Sequence, residues 1–175
     1  MKKCCLIVFL FSLLLSCARN DKTPGSGYSI TPRVKKQVMG IAINYARDKF
    51  KDAKKTVAED GIINIGDNQI KCAIDPARIV AGLIDDDANE DAIVSISSYN
   101  GQFLIMIEHL ILIKTDGKLM LARVIEADMK ILGIKDRVIF AEIPKVAPDA
   151  PAYDCSVCKE VVKYQYKNGD LIRTE

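Results

Sequence analysis

The chain has 175 residues, of which 25 are basic and 23 acidic, with a single histidine and no tryptophan. That length suits one domain with a real core and would cramp two. A charge so near balance lacks the basic footprint that a nucleic-acid partner requires, and no phosphate-cradling glycine loop, serine elbow or HExxH helix points to an enzyme.

The N-terminus opens with Lys2 and Lys3, continues as an unbroken apolar run over residues 6–15, and ends on a small residue, Ser16, before Cys17. The run is far shorter than the roughly 20 apolar residues that span a bilayer, so it is not a membrane helix. Leu14-Leu15-Ser16-Cys17 resembles the lipobox of bacterial lipoproteins, a likeness that covers the first 17 or so residues. The resemblance implies that residues 1–16 are a signal peptide removed on export, that the Cys17 thiol carries diacylglycerol, and that its amine is acylated. Several acyl chains anchor stably, each buried methylene contributing about 0.8 kcal/mol. Ala18 follows, where an aspartate retains lipoproteins at the inner membrane, so the family rule implies the outer membrane; no acidic export cluster follows, which favours its periplasmic face. From Cys17 onward 23 basic residues face 23 acidic ones, a formal charge of zero.

Residues 17–30, with Pro24, Gly25 and Gly27, read as a flexible lipidated tether, and residues 31–175 as one globular domain. Thr31-Pro32 has the form of an N-cap followed by proline at the first helical position. Val34, Val38, Ile41, Tyr45, Ala46, Phe50, Ala53 and Val57 then recur at steps of three and four, which predicts one long helix ending at Glu59-Asp60-Gly61. Beyond it, strands are expected at 62–65, 70–74, 79–84, 92–99, 103–113, 119–127, 129–134, 138–143 and 159–167. Gly66-Asp67-Asn68 marks a tight turn, and Asn100-Gly101, Asp116-Gly117 and Asn168-Gly169 are hairpin signals that make neighbouring strands antiparallel. Residues 103–113 are apolar on both faces except at Glu108 and His109, as in a central strand covered on both sides or broken by a bulge near those two. The prolines of 144–151 keep that loop out of the sheet. The expected fold is α+β, one long N-terminal helix packed on a mostly antiparallel β-sheet meander.

Three groups of residues carry candidate chemistry. Asp85, Asp87, Asn89 and Asp91 alternate in a loop between apolar strands, and residues 82–92 resemble the calcium loops of integrin-type and adhesin repeats. The resemblance implies carboxylate ligands from Asp85, Asp87 and Asp91 and a carbonyl from Asn89. Leu83 stands where the first aspartate belongs, Ala88 replaces the bend glycine, and Ile96 occupies the distance of a distal glutamate, so any Ca2+ binding is expected to be weak. Cys72, Cys155 and Cys158 remain after the signal and anchor cysteines are set aside; an odd number allows one internal disulfide, most simply Cys155 with Cys158, with a link from Cys72 to either as the competitor. The Cys155-Ser156-Val157-Cys158 motif enters a strand-like segment and not the helix that activates redox thiols. Cys72, His109, Cys155 and Cys158 form a Cys₃His zinc set on paper, but only the last two have ligand spacing. Glu108 and His109, adjacent in a strand, point to opposite faces. The function expected is a non-enzymatic binding or structural module, held to a membrane by its anchor, with an unidentified envelope partner and no nucleic acid. The alternatives are a calcium-stabilised adhesin-like module or a thiol-redox protein using Cys155 and Cys158.

Overall fold

The computed structural model describes residues 30–50, 53–67, 69–145 and 159–174. Its only helix among these, α1 (Pro32–Lys49), starts as its sequence dictates: Thr31 is extended and its Oγ1 accepts from the Val34 N–H at 3.3 Å, with Pro32 in the first turn. Arg47 and Lys49 sit in the last turn, where their charge complements the helix dipole. Val38, Ala42 and Ala46 form its buried stripe.

The helix is shorter than its periodicity predicts. It runs for 18 residues; Phe50 is already extended (φ −124°, ψ 111°), and Lys54–Val57 is a strand, β1. Val57 is 62% exposed in that strand, so side-chain burial does not decide the structure there; the backbone of β1 instead finds a ladder partner in β2 (Ile63–Gly66). Gly61, at φ +83°, closes the β1–β2 turn instead of stopping a helix.

Four further strands complete a six-stranded antiparallel sheet in sequential order: β3 (Ile70–Gly82), β4 (Asp91–Asn100), β5 (Phe103–Thr115) and β6 (Lys118–Glu126). The segments expected at 70–74 and 79–84 are one strand, with a register irregularity between Ile74 and Ile79 that accommodates Pro76. β5 runs unbroken through Glu108 and His109; its irregularities fall opposite Ser98–Tyr99 and at Ile111–Leu112. The expectation of a single sheet does not hold. β7 (Lys130–Lys135), β8 (Val138–Pro144), β9 (Lys159–Lys167) and β10 (Asp170–Arg173) form a second antiparallel sheet, ordered β10-β9-β8-β7. Asp116-Gly117 and Asn168-Gly169 turn as expected, with both residues of each pair at positive φ; the β7–β8 hairpin does the same with Asp136 and Arg137, lacking glycine.

The result is three layers, because the large sheet is apolar on both faces. Ile74, Val94, Ile96, Leu110 and Leu112 pack with Val38, Ala42 and Ala46 of α1. Ile93 and Ile111 point the other way, into Ile131, Ile134, Ile139 and Val162 of the small sheet. A polar clamp seats the end of the helix: Glu108, 5% exposed, accepts from the Tyr45 hydroxyl at 2.6 Å and from Lys49 Nζ at 2.5 and 2.6 Å. Burial, together with the Glu108 carboxylate, pushes the Tyr45 phenol well above its usual range.

On the other side, β3 approaches β7 so closely that a Cβ on Gly82 would lie 2.8 Å from Ile134 Cβ and 2.9 Å from its Cγ2. Gly82→Ala is therefore expected to destabilise the protein by about 1–3 kcal/mol through overpacking at the joint between the sheets. Urea denaturation checks this; an unchanged midpoint would mean that the sheets do not meet at this spacing.

Candidate functional site

A cleft of about 480 Å³ lies between the irregular stretch of β3 and the β7–β8 end of the small sheet. Its apolar walls come from both sheets, with Val80 and Ile107 on one side and Ile131, Leu132 and Ile143 on the other. Three cations, Arg78, Lys130 and Lys159, and two carboxylates, Asp128 and Glu142, also line it. Lys159 Nζ lies 2.8 Å from Glu142, which holds the Glu142 carboxyl below its ordinary range, and Arg78 lies 3.4 Å from Asp75.

Ser95 of β4 also lines the cleft, and behind it lies His109, fully buried. His109 Nε2 is 3.2 Å from the Ala127 carbonyl, which can only accept, so Nε2 carries the proton. Nδ1 then accepts from the Ser95 hydroxyl at 2.9 Å. Burial depresses the His109 pKa, outweighing the opposing effect of the Ala127 carbonyl, so the ring is held neutral. The pair resembles a base-activated hydroxyl in its first contact only, since the second ring nitrogen meets a backbone carbonyl.

The acidic loop brings together the residues that its sequence singled out. Oxygens of Asp85, Asp87 and Asp91 lie within 4.8 Å of one another. Asn89 differs from expectation: its side-chain NH₂ donates to Asp87 at 2.7 Å, which, with its backbone N–H, lowers the Asp87 pKa, so it serves the loop as a donor. Asp91 is fully buried and accepts from the Ile84 and Lys114 N–H groups, both at 2.9 Å, tying the loop to the end of β5; burial raises its pKa against these two bonds. Arg137 reaches across from the β7–β8 turn to the carbonyls of Asp85 and Asp86 at 2.8 and 3.1 Å. The loop thus has a structural role of its own, tying the end of β5 and the β7–β8 turn to the start of β4.

Cys72 is a free, fully buried thiol on the helix side of the large sheet, 3.3 Å from Ser98 Oγ, and burial pushes its pKa up. It does not share a metal with His109: Cys72 packs with the helix-side cluster, whereas His109 faces the small sheet beside Ser95, so the zinc set is not brought together. Cys17, Cys155 and Cys158 lie outside the described residues.

The cleft itself was not foreseen. Arg78, Lys130, Glu142 and Lys159 are scattered over four strands with no motif spacing, and the one local signal was Ser95, a polar residue set between the apolar Val94 and Ile96 of β4. The chain matches no protein-family model, no curated protein and no solved structure, so the reading of the site rests on its own geometry.

The buried imidazole generates a pH dependence. Its folded pKa is depressed, so below about pH 6.5 the unfolded chain takes up a proton that the native state does not. Stability is therefore fully present above that value and falls as the pH drops towards the folded pKa, by at most about 1.4 kcal/mol per pH unit. Urea midpoints measured from pH 7.5 to 5.5 should fall, and less steeply in His109→Gln; equal slopes in the two proteins would contradict a neutral buried ring.

Proposed function

We propose that this chain is a lipid-anchored module of the bacterial cell envelope, held through Cys17 at the periplasmic face of the outer membrane, which binds a small amphipathic ligand between its two sheets. The observation that carries the binding reading is the cleft: about 480 Å³, within the range of small-molecule sites, with apolar walls and one more cation than carboxylate among its lining residues. An apolar body with an anionic group suits such a lining. Binding is favoured over catalysis because His109 is fully buried and both its nitrogens are engaged, one by Ser95 and one by a backbone carbonyl. The anchor rests on Lys2, Lys3, the apolar run and Leu14-Leu15-Ser16-Cys17.

Two measurements test the two halves. Cys17→Ser should move the protein out of the membrane fraction; a variant that stays membrane-bound would sink the anchor. For the cleft, the fluorescent apolar anion anilinonaphthalene sulfonate should bind saturably, and Lys130→Glu, an exposed reversal of charge, should weaken it about tenfold. Unchanged affinity would place the dye elsewhere.

The convergence of Asp85, Asp87 and Asp91 supports one addition, weak calcium binding. Three carboxylates fall short of the six to eight oxygens that calcium takes, so we expect stabilisation only at about 0.1–1 mM calcium. Melting curves with calcium and with chelator should differ slightly, and not at all in Asp87→Ala; a low-micromolar dissociation constant would contradict this.

A further inference from the structure

β5 outlasts its neighbour. Pairing with β6 ends where the Ala127 N–H donates to the Ile107 carbonyl at 3.2 Å, while β5 continues back to Phe103, paired there with β4 alone among the described residues. This stretch, Phe103-Leu104-Ile105-Met106-Ile107, contains no charge and no proline, and its first three side chains are 80%, 50% and 53% exposed. A groove of about 370 Å³ runs beside it, lined by Leu104, Ile105, Met106, Ile107, Glu126 and Asp128. Native edges are ordinarily blunted by lysine, proline or inward charges, and this one has none of them. Its neighbouring irregularity at Ser98–Tyr99 adds local twist, which limits an added strand to about four residues.

Charge selects the occupant. Glu126 and Asp128, both exposed, stand where β6 ends, and neither enters an ion pair with a described residue. Paired edge to edge with a second copy, these carboxylates would face the other copy's uncharged Gly101-Gln102 turn and remain unmatched. We propose that the open edge of β5 accepts a strand from another protein, a short uncharged apolar segment with a basic residue at the end lying beside Ile107. Main-chain hydrogen bonds supply affinity and the carboxylate pair supplies direction, as in recognition by strand addition. An incoming strand antiparallel to β5 runs in line with β6, so its basic residue is at its N-terminal end.

The test uses two fluorescein-labelled peptides, Lys-Val-Thr-Val-Thr and Glu-Val-Thr-Val-Thr, titrated with the full chain and followed by anisotropy at low salt. The lysine peptide should bind about tenfold tighter, the scale of two exposed charge pairs reversed in sign. The preference should vanish in Glu126→Gln/Asp128→Asn, changes on exposed side chains that leave the core intact, and Ile105→Lys should weaken both peptides. Equal affinities, or no binding of either peptide, would overturn the proposal. So would a dimer in sedimentation that Ile105→Lys dissociates, since that assigns the edge to a second copy.

Discussion

Strand β4 sets the problem that the rest of the molecule solves. Eight consecutive residues, from Asp91 to Ser98, are buried, so the strand has no face to give to water. Alternation sends Ala92, Val94 and Ile96 to one side and Ile93 to the other, with Leu110 and Leu112 against Ile111 repeating the split on β5. Burying each large aliphatic side chain contributes about 1.5–3 kcal/mol, and this is collected only if both sides are covered. The helix covers one side. A single helix cannot wrap to the other, and the second sheet closes it.

Polar groups inside such a core need partners, and here the partners of Glu108 and His109 also fasten one layer to the next. Glu108 holds the last turn of the helix through Tyr45 and Lys49. Asp91 gathers the start of the acidic loop and the end of β5 on its two oxygens. His109 joins β4 to the segment leading into the second sheet, through Ser95 and the Ala127 carbonyl. A one-residue slip of β5 would exchange the faces of Glu108 and His109 and leave both without partners, so the polar residues fix the register that the apolar ones leave free.

Much of this was legible in the chain. The helix start was written in Thr31-Pro32, two hairpins in Asp116-Gly117 and Asn168-Gly169, and the doubly covered middle of β5 in the apolarity of both faces of 103–113 apart from Glu108 and His109. The helix end was not, because Ala53 and Val57 continue the helical spacing and only the sheet edge decides that Lys54–Val57 pairs as strand. The split into two sheets was hidden as well. Nothing between β6 and β7 marks a change of sheet, and alternating strands look alike whether they extend one sheet or begin another. Of the candidate site residues, the three aspartates converge because they are close in sequence. Cys72 and His109 are kept apart by the faces they occupy, which composition does not report. The cleft required the packing of the sheets to be known, since its lining comes from strands far apart in the chain.

Covering both faces also places the proposed ligand cleft and the proposed docking edge. The cleft exists because the small sheet packs over the large one near the irregular stretch of β3, and the edge of β5 is open among the described residues because β6 stops at Glu126 before the chain crosses to the second layer. The three-layer core therefore requires the small sheet as an obligatory cover and not as an appendage. Native-state hydrogen exchange, resolved by residue under mild denaturant, tests this most directly. If the layers form one cooperative core, amides of β8 and β9 exchange with the same opening free energy as those of β4. Amides of the small sheet exchanging through a much cheaper opening, while β4 stays protected, would show that the large sheet is stable without its second cover and would contradict a single three-layer core.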